Sequence, residues 1–292
     1  MGRTLHARPP AARLLLLLAA GCCAGAGAAP PELHFSGSAG LGYDSNPANA
    51  ETGSTLPATG YAVANLAASM TRTAGEHVAL LLRGSLDGQQ YFDYVGLSNA
   101  KAGVLARGLY RPGGGFYMPT FAAWGSAALW EFRSHMRGGA EYRAGAYASE
   151  QLTTAIDLRL GGYASERDSH SGVFDLRGQA ATLDADWMLG DALTAYLGYE
   201  FRQADFAVSS APDPGAAAYA AVLQADDSLG SNGVPNTVYR LRGHAQIGTL
   251  GLNYALTPGL ALDAQGQQIH TRAESGDHYN RWLTTVSLLA RF

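Results

Sequence analysis

Cysteine is almost missing from this chain of 292 residues: the two present, Cys22 and Cys23, are adjacent and lie in the first segment. Beyond them no disulfide framework, zinc thiolate site or cysteine nucleophile can be built. Lysine is scarcer still, with Lys101 alone, and no Lys/Arg cluster or basic stripe occurs, which excludes the usual nucleic-acid footprint. Charged residues are 15% of the chain, where about 25% is ordinary, and the mean hydropathy is −0.06. Only the first segment has a long apolar run, so a polytopic helical membrane protein, which needs repeated runs of about 20 apolar residues, is excluded. The chain instead has 37 glycines and 15 tyrosines against 9 phenylalanines, a composition too aromatic for disorder.

The first segment reads as an export signal. Arg3, Arg8 and Arg13 precede Leu14–Leu18, and small residues run from Gly21 to Ala29. Positive start, apolar run and the Ala26-Gly27-Ala28 exit place a cleavage after Ala28, leaving 29–292 as a single barrel domain. Both cysteines leave with residues 1–28. From residue 29 onward 17 basic residues face 24 acids, a formal charge of −7.

Period-two alternation governs the rest. Leu33, Phe35, Gly37, Ala39, Leu41 and Tyr43 alternate with more polar neighbours, and so do Leu193, Ala195, Leu197, Tyr199 and Phe201. Such alternation marks strands with one apolar and one polar face. About twelve segments qualify: 33–44, 60–71, 77–88, 98–110, 116–129, 136–144, 151–165, 173–188, 193–203, 237–256, 260–271 and 279–292. Those at 173–188 and 237–256 leave room for bulges where parity slips. Glycine and proline mark tight turns at Thr73-Ala74-Gly75, Arg111–Gly115, Leu189-Gly190-Asp191 and Thr257-Pro258-Gly259. Longer connections at 45–59, 89–97, 166–172 and 204–236 fall between them. Short turns at one end and long loops at the other predict an all-β fold: a transmembrane antiparallel up-and-down β-barrel.

A wall facing lipid keeps charge inside, because Arg or Lys at mid-membrane costs about 2–4 kcal/mol. On four segments an acid precedes an arginine by two, hence on one face: Glu141/Arg143, Asp157/Arg159, Asp175/Arg177 and Glu200/Arg202. Neighbouring strands then link the pairs into an Arg–carboxylate ladder, either bracing a narrow interior or forming a selective constriction. Arg83, Lys101, Arg107, Arg137, Arg240 and Arg242 are assigned to the same face, giving a net basic lumen that favours small anionic solutes. Twelve strands lie between filled and open barrels. The 204–236 connection is the candidate plug, with Ala216–Leu223 as a short helix or a surface loop.

Two short stretches offer catalytic chemistry, Ser169-His170-Ser171-Gly172 and Asp277-His278, and both read as solvated loops. His34, His77, His135, His244 and His270 are scattered singly without metal-ligand spacing, and no phosphate-cradling glycine motif precedes a helix. No cofactor is expected.

Trp282, Thr284, Val286, Leu288, Ala290 and Phe292 form an alternating face ending on the last residue. This resembles the C-terminal signature of bacterial outer-membrane barrels, which implies recognition of Val286, Leu288, Ala290 and Phe292 by the barrel insertion machinery. Gly42-Tyr43-Asp44-Ser45-Asn46-Pro47, continuing to Ala50, resembles the start of the C-terminal barrel in surface lipoprotein assembly modifiers and related porin-like barrels. Asp44, Ser45 and Asn46 suit side-chain-to-backbone turns, and Pro47 ends a ladder. The modifier family has a periplasmic helical-repeat domain before its barrel, and no such domain fits between Ala28 and Leu33, so the resemblance implies a barrel-only relative. The sequence reading is therefore an exported barrel in a Gram-negative outer membrane, contacting its lipid. Transport or assembly through an Arg-lined pore leads. A plugged structural barrel, a lipoprotein-export module with a lipoprotein client and, last, a lipid hydrolase follow as alternatives.

Overall fold

The computed structural model describes residues 32–51, 58–210, 214–229 and 237–292; the proposed signal segment lies outside them. Every segment expected to be a strand is one: β1 (Glu32–Asp44), β2 (Thr59–Ala74), β3 (Val78–Tyr91), β4 (Asn99–Tyr110), β5 (Thr120–Phe132) and β6 (Gly139–Gln151). They continue as β7 (Ile156–Ser169), β8 (Leu176–Met188), β9 (Leu193–Ser210), β11 (Thr237–Thr257), β12 (Leu260–Ala273) and β13 (His278–Arg291). Each pairs antiparallel with its neighbours, β9 pairs β11, and β13 returns to β1, so the ring closes without an edge. A short β10 (Val222–Ala225) lies outside the ring and pairs with β11. Closure gives each wall strand a hydrogen-bonding neighbour on both sides, which hydrocarbon requires. Around the wall the paired register advances by about sixteen residues per circuit, tilting twelve strands by about 45°.

Side chains sort as alternation demands. Leu129 and Leu160 expose 67% and 63% of their surface on the outside, as an apolar belt facing lipid does. Tyr110, Phe121, Trp187, Tyr254 and Phe292 stand outward toward the end that holds the termini. Tyr43, Phe201 and Trp282 stand outward toward the other end, so aromatic residues border the belt above and below. Val286, Leu288 and Phe292 of the C-terminal motif also point outward.

Several strands run past the alternation that revealed them. β3 and β7 continue to Tyr91 and Ser169, and β9 continues to Ser210, paired there with Thr237, where β11 begins as expected. The ladder continues beyond the apolar belt because its bonds do not depend on which side chains it bears. At the other end of the wall the turn expected at 111–115 is a longer connection spanning 111–119, and β5 begins at Thr120 where the sequence reading began it at 116. One bulge is present, between Ala255 and Thr257 against β12, while the β8 register is unbroken.

The seam between β1 and β13 is held by contacts of the first-strand motif. Asp44 is fully buried and receives the Arg281 guanidinium on both oxygens, Nε at 2.9 Å, with the Tyr91 hydroxyl donating at 3.0 Å. Ser45 N donates to the Trp282 carbonyl at 3.0 Å, and Trp282 N returns a bond to Ser45 Oγ at 2.7 Å. Asn46 bridges its own loop, donating to Ala50 O at 2.8 Å and accepting from Ala50 N at 2.7 Å. A Cβ on Gly42 would strike the Tyr61 ring, so glycine keeps that ring against the seam.

Removing Arg281 strands a buried carboxylate, a loss of about 3–5 kcal/mol. Arg281→Met is expected to lower the urea midpoint of the refolded barrel, read by heat-modifiable gel mobility. A midpoint equal to that of the unmodified chain would show that the seam does not depend on this pair.

Candidate functional site

Beneath the end opposite the termini lies a cavity of about 610 Å³. Its charged wall comes from β6, β7 and β9. Arg143 Nη2 meets Glu141 Oε1 at 2.7 Å, and Arg202 meets Glu200 at 2.6 Å, each on its own strand two residues away. Tyr163 on β7 joins the two pairs: its hydroxyl donates to Glu200 at 3.0 Å and accepts from Arg202 Nη2 at 3.2 Å. The Arg143 guanidinium lies over its ring at 5.7 Å. The expected ladder is thus cross-linked by a tyrosine. Carboxylate–arginine bonds stay within the strand because an i, i+2 pair already shares one face at short range.

The other two expected pairs do not form. Asp175 precedes β8 and caps the loop, accepting from Ser169 N at 2.7 Å, while Arg177 reaches Glu166 at 2.7 Å on the exposed rim. Arg177 has the parity opposite to Gly178, which pairs with the inward Ala204. Asp157 and Arg159 face inward, and Arg159 lies over Tyr147 at 5.2 Å and beside Asp184 in register. Arg107 flanks the same Tyr147 ring at 5.6 Å. With Arg83 these form the basic side of the lumen toward the termini, where Asp184, Asp186 and Asp263 supply acid. Tyr196 donates to Asp263 at 3.1 Å, its ring seated where a Cβ on Gly251 would clash.

Arg240 and Arg242 do not line the lumen, correcting the sequence assignment. Leu241, Gly243 and Ala245 hold the inward parity of β11, so both arginines face out; Arg240 ties the 170–175 loop by bonds to Gly172 O and Asp175 O at 2.7 and 3.0 Å. The parity was misread because the first turns of β11 extend beyond the apolar belt. Lys101 is inward, 3.4 Å from Asp87 and 5.0 Å over Trp130. Most lumen cations are therefore matched to carboxylates, so the charge open to a solute is smaller than the tally of arginines.

The described residues of the 204–236 connection lie above the cavity, which Ala204–Ala207 border directly. Past Ser210, α1 (Pro214–Tyr219) packs Ala216 against Val208, Tyr239, Leu241 and Tyr279, and β10 follows where the sequence reading placed the end of a helix. Leu229 then seats among Ala48, Tyr61, Tyr91, Tyr94 and Leu97 on the far side of the mouth. Polar clasps hold the segment on the way: Arg137 to Asp226 at 3.2 Å, Ser134 to Asp227, and Ser171 Oγ to Gln224 at 2.6 Å. Pro47, Ala48 and Asn49 form the rest of the roof, with Ala48 O accepting from Ser209 N at 3.1 Å. Asp226, Tyr163, Arg167 and Arg281 escaped the sequence reading because each acts through partners far away in the chain.

In the loop motifs the Ser169 hydroxyl is spent on Ser171 O and Asp175, and His170 stacks on His135 at 4.3 Å with its Nδ1 3.0 Å from His135 O. His278 stacks on His270 at 5.6 Å, and Asp277 accepts from Ser275 at 2.6 Å. Among the described residues no group of three or more His, Cys, Asp or Glu could hold a metal ion.

Burial opposes ionisation of Asp226, but Arg137 and the bonds from Ser209 and Ser228 outweigh it and hold the carboxyl below the usual range. A carboxyl depressed in the folded state stabilises the roof above its unfolded value of about 4 and ceases to as pH falls through the lowered value. The Ser228 amide, which donates to Asp226 at 2.9 Å, is expected to keep its hydrogen-exchange protection from pH 8 to pH 5 and lose it only below about pH 4. Asp226→Asn is expected to lower that protection across the whole range.

No family model and no curated protein matches the chain. Solved structures match by shape. The COG4313 outer membrane channel from Pseudomonas putida F1 superposes with a TM-score of 0.59 at 11% identity, covering 90% of this chain and 97% of that one. The NanC porin reaches a TM-score of 0.46 at 9% identity over 88% of this chain and 98% of that one. The CymD monoaromatic hydrocarbon channel also reaches 0.46, at 9% identity over 90% and 89%. The chain has the porin-like fold of outer-membrane β-barrels.

Proposed function

We propose that this protein is an outer-membrane channel passing small solutes, with anions favoured over cations. The observation that carries the reading is the cluster of inward arginines along the whole lumen, some of them without a carboxylate in reach. Arg143 and Arg202 line the upper cavity, and Arg107 and Arg159 hold a tyrosine between them nearer the termini. A ring of fixed cations in a narrow, low-dielectric passage raises the local concentration of anions and speeds their entry. The outer wall fits lipid contact, and the outward Val286, Leu288, Ala290 and Phe292 fit recognition by the insertion machinery after export and signal cleavage. The likeness to solved channels supports the architecture of this reading.

A second reading, a barrel plugged by its own roof, is favoured by one observation: Asp226, Asp227 and Leu229 bridge the mouth with specific contacts. Planar-bilayer recording of the refolded chain separates the two. Discrete current steps with an anion-preferring reversal potential in a salt gradient are expected. Arg107→Gln with Arg159→Gln is expected to lower the anion-to-cation ratio about twofold or more. Silence from a barrel verified as folded would leave the plugged reading standing.

A further inference from the structure

The upper cavity has two unlike walls. On one side Arg167, on β7, is largely buried and makes no ion pair among the described residues. Its Nη2 donates to the Arg137 carbonyl, its guanidinium rests on the Trp130 and Phe132 rings at 5.4 and 5.2 Å, and its Nε is buried without an acceptor. The neighbouring cations differ, since Arg143, Arg202, Arg137, Arg281 and Lys101 each hold a carboxylate. Glu141 faces Arg167 in register on β6, but that carboxylate bonds Arg143 and Trp130 Nε1, so Arg167 keeps a neighbouring counter-charge without a bond to it. Such an arrangement is costly to a fold that gains nothing from it. Its aromatic support fixes the guanidinium plane and leaves donor capacity for one more acceptor.

Across the lumen the lining changes character. Ala245 and Ile247 on β11, Ile269 on β12 and Leu283 on β13 border the same cavity, with Ile247 and Ile269 directly paired in register. These four apolar side chains stand there with Gln267 and Thr271 flanking Ile269 along β12. At about 610 Å³ the space lies within the range of small-molecule sites, about 300–1,000 Å³.

We infer that the chamber under the roof is a binding station for a monocarboxylate with an apolar body, its carboxylate on Arg167 and its hydrocarbon on the Ala245–Ile247–Ile269–Leu283 wall. This deepens the transport reading and rests on it for the route by which the solute arrives. A compact dianion or a polyhydroxy acid leaves the four apolar side chains of that wall without apolar contact.

The test uses the full mature chain in lipid nanodiscs, with empty nanodiscs as the blank. Hexanoate, hexanamide and gluconate share a carbon count and separate charge from apolarity. Titration calorimetry is expected to show hexanoate bound at least about tenfold more tightly than either of the others. Arg167→Gln is expected to weaken hexanoate by about tenfold while leaving hexanamide unchanged, and Ile247→Ser to narrow the gap between hexanoate and gluconate. If Arg167→Gln does not fold, Ile247→Ser and Arg167→Lys carry the test. Gluconate bound as tightly as hexanoate, or hexanoate binding indifferent to every folded variant, overturns the inference. Flux into proteoliposomes keeps the two readings apart. Hexanoate binding without any flux leaves the station and removes transport, whereas unselective anion flux without hexanoate binding does the reverse.

Discussion

A backbone amide in hydrocarbon has no water to turn to, so every N–H and C=O of this wall must find its partner in a neighbouring strand. That single requirement forces the ring to close, and closing the ring forces alternate residues into two solvents. The seam is where the requirement is hardest to meet, because β1 and β13 come from opposite ends of the chain. Asp44 and Arg281 meet there in a buried pair, with Tyr91 and the Ser45–Trp282 bonds around them. The motif that reads as a turn at the end of the first strand is also the clasp of the barrel.

With charge excluded from the outer belt, the interior inherits most of it. The consequence is a lumen whose charges must be reconciled at short range. Own-strand pairs such as Glu141–Arg143 and Glu200–Arg202 satisfy one another, and Tyr163 spans between them. What survives the pairing is sparse and therefore informative: Arg167 above, and Arg83, Arg107 and Arg159 below. The roof adds a second constraint, since Asp226 and Asp227 draw the polar rim toward the mouth while Leu229 and Ala216 give the segment two apolar anchors.

Much of this was legible in the chain as a string. Alternation from Leu33 to Tyr43 and from Leu193 to Phe201 names strands and their lipid face, because the side-chain period of a strand is a local property. Inward placement of Arg83, Arg143, Arg159 and Arg202 followed from the same parity. Where strands outran the belt, parity lost its meaning, and Arg240 and Arg242 were assigned to the wrong side. Asp175 and Arg177 failed likewise, for the 3-10 turn at Gly172–Phe174 resets the count before β8 begins.

The sequence by itself determined the class of fold, the approximate strand number and the two faces of the wall, since each depends on near neighbours and on the solvent each side chain prefers. Tertiary structure alone decided which charges cancel, which cations stay unmatched, and that residues 214–229 of the β9–β11 connection lie over the mouth. Those outcomes turn on contacts between residues such as Asp44 and Arg281, or Arg137 and Asp226, whose meeting is set by closure of the ring and by no local pattern.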